Sequence, residues 1–157
     1  MKINFSNITE NLAIVNADRE AVVNVERAAR YTFEDYHSLT NQIANFLQYE
    51  LKLTNDDHYV CILENDSLSL MSPMTAFKGP GCICYTNVRD SVAEHSWQID
   101  TVEPKAVFIE SGMLADYFEF LSKRKIQIVV MDEIPSAFKT HEHIYAFWDL
   151  VAQASSD

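Results

Sequence analysis

The chain has 157 residues, 48% of them hydrophobic, and carries a formal net charge of −11. That content is enough for one domain or one large lobe with a buried core, and it excludes a disordered chain. The charge argues against general nucleic-acid binding and against an anionic membrane surface, both of which need clustered Lys and Arg.

Glycine is scarce, at three residues, so a glycine-rich binding loop has almost no material. No stretch reaches the roughly 20 apolar residues of a membrane span. Met1-Lys2 leads directly into polar residues, without a leader pattern. The three cysteines, Cys61, Cys82 and Cys84, lie in apolar, strand-like runs. They read as buried free thiols in a reducing, cytoplasmic setting.

Taken in chain order, the pattern alternates between helical and strand periods. A first helix is predicted over residues 7–16, with Ser6 as its cap and Ile8, Leu12 and Val15 on one face. Residues 21–25 and 30–33 read as two short strands joined by a polar turn, a hairpin. Thr32 then caps a long amphipathic helix whose first turn carries Asp35. Its apolar stripe is Tyr36, Leu39, Ile43, Phe46, Leu47 and Leu51.

Residues 59–63 form a short, nearly unbroken apolar run, as expected of a strand covered on both faces. A helix is predicted over 68–77, capped by Asp66 or Ser67 and interrupted by Pro73. Gly79-Pro80-Gly81 is a stop. A buried strand over 82–85 follows, then a helix over 91–101 capped by Asp90. A strand over 106–109, a helix over 111–123 and a strand over 126–131 continue the pattern. The basic run Lys123-Arg124-Lys125 suits a helix C-terminus. A loop through Pro135 leads to a last helix over 144–152.

Such alternation with short connections predicts an α/β fold, a mostly parallel sheet flanked by helices, with a short β-hairpin near the N-terminus. Residues 1–153 form one subdomain in this reading, and 154–157 have linker character.

The usual chemistry-bearing motifs fail in turn. Gly79, Gly81 and Gly112 fit neither a P-loop nor a dinucleotide fingerprint. The Gly79-Pro80-Gly81 segment precedes a strand, whereas a phosphate cradle precedes a helix. His141 and His143 flank Glu142 but have no nearby partner at metal-ligand spacing, so no metal site is expected. His37, His58 and His95 read as surface or packing residues. No Gly-x-Ser-x-Gly elbow is present, and no sequence neighbour would lower a cysteine pKa. Asp56-Asp57 and Asp132-Glu133 read as solvated turns. No catalytic residue is assigned.

Five segments in order carry a resemblance. Tyr31-Thr32-Phe33-Glu34-Asp35-Tyr36 resembles a "TY-x-EL" helix start, and Asn41-Gln42-Ile43-Ala44-Asn45-Phe46-Leu47 its "NRLA-x-x-L" continuation. Residues 56–65 resemble "GD-x-VAI-x-x-x-N", and residues 78–89 resemble "KAGA-x-x-x-PLN-x-R". Trp97-Gln98-Ile99 through Glu103-Pro104-Lys105-Ala106-Val107-Phe108 resembles the "PK-x-V" segment that follows. Together they are similar to the N-terminal part of AMP-forming acyl-CoA synthetases, within the adenylate-forming, AMP-binding ligase superfamily. Asp56, Pro80, Thr86 and Pro73 depart from its pattern.

The resemblance implies a parent enzyme that activates a fatty or aryl acid through an acyl-adenylate, using ATP, Mg and CoA. The family's phosphate loop, adenine and ribose segments and lid lysine do not occur here. The chain alone is therefore expected to be inactive and to bind no cofactor. By position, Arg89 matches the Arg on the side where CoA docks and is the one cofactor-binding candidate. Expected partners are the rest of the ligase or a second copy through exposed apolar surface. Two alternatives stand beside this reading. One is a non-catalytic partner or half of a split ligase, and the other a free-standing flavodoxin-like nucleotide-binding domain.

Overall fold

The computed structural model describes residues 6–25, 28–64, 67, 71 and 78–157. Of the predicted helix over 68–77 only Met71 is described; the rest of it, with its candidate cap Asp66 and with Pro73, lies outside the described residues.

The elements are α1 (Ser6–Asn16), β1 (Glu20–Asn24), β2 (Ala29–Thr32), α2 (Phe33–Asn45), β3 (His58–Ile62), β4 (Cys82–Tyr85), α3 (Val92–Val102), β5 (Ala106–Ile109), α4 (Leu114–Lys123), β6 (Gln127–Val130), β7 (Ile144–Ala146) and α5 (Phe147–Val151). β1 and β2 pair antiparallel as the expected hairpin. The remaining five strands form one sheet in the order β4-β3-β5-β6-β7, and every pair in it is parallel.

Side-chain alternation along the strands builds two dry layers. Tyr59, Cys61, Phe108 and Val129 face one way, against Leu39 and Ile43 of α2, Phe46 just after it and Phe147 of α5. Val60, Ile62, Val107, Ile109 and Ile128 face the other way, against Ile99 of α3 and Leu114, Tyr117 and Leu121 of α4. All four residues of β5 are fully buried. A strand enclosed on both faces needs no polar positions, which is why its sequence reads as an unbroken apolar run.

The predicted stripe on α2 holds throughout: Tyr36, Leu39, Ile43, Phe46, Leu47 and Leu51 are all buried. After Asn45 the helix widens into a π turn, Phe46–Glu50, closed by Leu51 N donating to Phe46 O. The wider turn places Leu51 inward, beneath Phe46 and Leu47. Thr32 caps α2 in a reciprocal box with Asp35.

Four sequence readings are corrected. Ser91, not Asp90, caps α3; its hydroxyl accepts from Glu94 N while Glu94 accepts from Ser91 N. Asp90 instead accepts from Gln98. Residues 144–146 are a strand beside β6, and only then does a helix begin. The run Ile144-Tyr145-Ala146 is too short for either period to show. On α1, Ile8 and Leu12 are partly covered, but Val15 is 78% exposed. Buried Thr9 takes the inward place instead. Finally, Cys61 is buried as expected, whereas Cys82 is exposed and Cys84 half-buried, because β4 is an edge strand.

Two glycines serve close approaches. Gly81 has φ +87°, and a Cβ there would lie 3.1 Å from Asp57 O. At Gly79 a Cβ would meet Leu47 Cδ1 at 2.8 Å and the Ala44 backbone at 3.5 Å. Both bring the entry to β4 flat against its neighbours.

The C-terminal residues lie along α2. Asn41 donates to Ser156 O (2.7 Å), Asn45 to Ser155 O (2.8 Å) and Asp157 O (3.2 Å), and Gln42 to Ala154 O (3.4 Å).

Hydrogen bonds from Thr32 and Ser91 hold the Asp35 and Glu94 carboxyls below their usual values. Their stabilising effect is complete above the unfolded carboxylate range and is lost as pH falls from there through the lowered folded values. Thr32→Ala or Ser91→Ala should each cost about 1 kcal/mol in urea unfolding at pH 7. Either loss should shrink as the pH is taken below about 4.

Candidate functional site

In an open parallel sheet the chain leaves every strand at one edge, and ligands sit outside that edge where successive connections diverge. Here the divergence falls between β3 and β5. From β3 the chain crosses to β4 on one side; from β5 it crosses to β6 on the other. The residues that leave the strands at this edge are Glu64, Thr86 to Ser91, Glu110 to Ser111, and Met131 to Glu133.

The loop after β4 is tied down by several hydrogen bonds. Thr86 donates to Cys61 O from both its N–H (3.2 Å) and its hydroxyl (3.1 Å). Asn87 O accepts from Asp90 N (2.9 Å), and Asn87 Oδ1 accepts from Arg89 N (3.1 Å). Behind the loop stands His95, fully buried in α3. Its Nε2 lies 2.9 Å from Asn87 O, and its Nδ1 lies 2.5 Å from the Tyr117 hydroxyl. A carbonyl can only accept, so Nε2 carries the proton and Nδ1 accepts from Tyr117. Burial, with the charges of Asp116 and Asp90, pushes the Tyr117 pKa up, so the phenol stays a donor.

Ser111 and Asp132 close the other side of the edge. Asp132 accepts from Ser111 N and from its hydroxyl, both at 2.6 Å. A concavity of about 510 Å³ lies beside them, bordered by Met131, Asp132, Ile134, Ala146 and Trp148. Lys139 pairs with Glu133 at its rim, at 3.3 Å.

Arg89 stands on the rigid loop with its side chain exposed, and it makes no ion pair among the described residues. The arrangement can present one guanidinium to an anionic group at the mouth of the sheet. The other sequence candidates do not join it. His141 and His143 are exposed, the former against the Phe118 ring. His58 is exposed at the start of β3, at the opposite edge. Asp57 is bound by Thr54 and Lys105 at that same far edge. Among the described residues no three His, Cys, Asp or Glu side chains converge on a point.

Sequence reading missed the His95–Tyr117 support. The available signal was that His95 shares the inward face of α3 with Ile99. A second concavity was also not anticipated. It is a groove of about 830 Å³ between α1 and α2, floored by His37 and Asn41 and reached by Lys78. No strand residue lines it.

Comparison with solved structures decides the fold. An anthranilate CoA ligase, AuaEII, solved with anthranoyl-AMP, matches 99% of this chain with a TM-score of 0.77 at 17% identity. The chain has the fold of the N-terminal part of acyl- and aryl-CoA ligases. A benzoate CoA ligase from Burkholderia xenovorans LB400 matches 98% of it, with a TM-score of 0.78 at 14% identity. A Brucella canis acyl-CoA synthetase matches 99%, with a TM-score of 0.76 at 15% identity. The chain spans 29%, 29% and 28% of those three proteins. No family model and no curated protein matches the sequence. The likeness bears out the α/β fold and N-terminal hairpin read from the alternating pattern, and the resemblance carried by the five segments.

If His95 holds the strand-edge loop, His95→Leu leaves the Tyr117 hydroxyl and Asn87 carbonyl without it. The expected loss is about 1–3 kcal/mol in urea unfolding. Hydrogen exchange at residues 87–91 should accelerate while β5 remains protected.

Proposed function

We propose that this chain is the N-terminal lobe of an ATP-dependent carboxylic acid–CoA ligase, a scaffold that performs no adenylation by itself. One observation carries the reading: nearly the whole chain superposes on ligases of which it spans under a third. Acid activation through an adenylate needs positioned cations and donors around a phosphoryl group in flight. The sequence offers no glycine-rich cradle for one. The aromatic content of the later half, with Trp97-Gln98-Ile99-Asp100, favours a fatty or aryl acid as the parent's substrate.

In this reading Arg89 faces the CoA nucleotide. Its support is the match to the "PLN-x-R" segment together with its exposure on a fixed loop. The lobe completes itself through the rest of the ligase, whether on the same chain or on a partner as in a split enzyme. In the absence of that portion it self-associates through apolar residues left on its surface. Trp97 on α3, 70% exposed, and Ile14 and Val15 on α1 are the residues that would be covered. A monodisperse monomer in light scattering would contradict self-association.

A second reading rests on the strand order. β4-β3-β5-β6-β7 is the 2-1-3-4-5 order of flavodoxin-like sheets. A free-standing nucleotide- or flavin-binding domain predicts that the purified chain retains a chromophore or nucleotide.

The deciding assay is ATP–pyrophosphate exchange with a panel of fatty and aryl acids. The chain alone should give none, and measurable exchange would overturn the scaffold reading. In the complete ligase, Arg89→Ala should raise the KM for CoA about tenfold, the order expected for one charge-assisted contact. Adenylation should be unchanged.

A further inference from the structure

Lys78 sits where the chain turns into Gly79, and Gly79 is pressed against Ala44 and Leu47 of α2. The lysine side chain is thereby laid onto the polar side of α2, within the groove that α1 and α2 form. Its ammonium has three N–H donors, and three acceptors meet them. These are Asn41 Oδ1 at 2.6 Å, His37 Nδ1 at 3.0 Å and His37 O at 3.2 Å. All three are acceptors other than carboxylates, and among the described residues no carboxylate makes a salt bridge with this lysine. The charged and titratable groups facing it are Glu10 from α1, Glu34 and His37 from α2, and Asp157 from the C-terminal segment.

Half-burial penalises the charged form by desolvation, and the three acceptors offset only part of that. It brings the Lys78 pKa down to about 8, with Glu10 opposing the shift. Burial and the Lys78 charge lower the His37 pKa, again with Glu10 opposing. Once the amine is neutral the second of those causes disappears, so His37 is the better base in the state of Lys78 that can react. Desolvation of this kind is how enzymes activate amine nucleophiles.

We propose that Lys78 is a reactive amine and a site of Nε-acylation by activated acyl donors, thioesters or acyl phosphates, that enter the groove between α1 and α2. The neutral amine keeps its bonds to Asn41 Oδ1 and His37 Nδ1 and releases the longest, to His37 O, which frees its lone pair. The lone pair attacks the acyl carbon. The new C–N bond forms as the C–S or C–O bond breaks, and thiolate or phosphate departs with the bonding pair. The surplus proton on nitrogen passes to His37 Nδ1 and from there to solvent. The product is a neutral amide whose single N–H still donates to Asn41 Oδ1. This proposal does not depend on the ligase reading, because it uses only the α1–α2 groove.

At pH 7.5 an amine with a pKa of about 8 is neutral over a hundred times more often than an ordinary lysine at about 10.4. Lower basicity takes back part of that advantage in nucleophilicity, which leaves a net advantage on the order of tenfold. The test treats the full chain with acetyl phosphate between pH 6.5 and 10 and follows each of its seven lysines by peptide mass spectrometry. Lys78 should be acetylated about tenfold faster than Lys52, Lys123 and Lys139 at pH 7.5, and its rate should level off near pH 8 while theirs keep rising. A Lys78 rate no greater than theirs, or one that climbs with theirs to pH 10, overturns the proposal. A His37→Gln chain, verified as folded by its unfolding midpoint, should slow Lys78 about fivefold and leave the other lysines unchanged. An unchanged Lys78 rate in that chain would also overturn the proposal, since it removes the base.

Discussion

Complete burial of the central strands is the constraint on which the rest of the molecule depends. β5 has no exposed residue, and β3 is buried from Tyr59 to Ile62. Strands of that kind have to be covered by helices on both faces. α2 with α5, and α3 with α4, are those covers, and each supplies apolar residues to one layer. The connections that carry the chain between covers must then emerge at a common edge of the sheet. The loop bearing Arg89, the Ser111–Asp132 contact and the buried His95 behind them are consequences of that geometry.

Much of this was legible in the sequence because burial on two faces removes polar residues altogether. Tyr59-Val60-Cys61-Ile62 and Ala106-Val107-Phe108-Ile109 show as unbroken apolar runs, and the α2 stripe shows as a helical period. The caps were half legible. Thr32 and Asp35 stand at box spacing and form one, whereas Asp90 and Ser91 are both competent caps in adjacent positions. Only the Ser91–Glu94 spacing separates them, since a capping box requires three residues.

What stayed illegible depends on contacts distant in sequence. Ile144-Tyr145-Ala146 is a strand only because β6 offers it an open edge; on its own it continues smoothly into the helical Phe147-Trp148 stretch. Cys82 is exposed because, among the described residues, no strand pairs beyond β4, a property of strand order that no local pattern encodes. His95 needs Tyr117, 22 residues away, to be read as a buried support. Lys78 and His37, 41 residues apart, meet only through the Gly79 approach to α2.

By this reasoning the lobe holds its parallel sheet as an independently dry core. Native-state hydrogen exchange on the isolated chain measures this most directly. The amides of β3 and β5 should exchange only through global unfolding, at rates that track the urea-derived stability, while those on the free edges of β4 and β7 exchange sooner. Exchange of the β3 and β5 amides at the rate of the exposed loops would show that the central strands are not enclosed, and the account would fail.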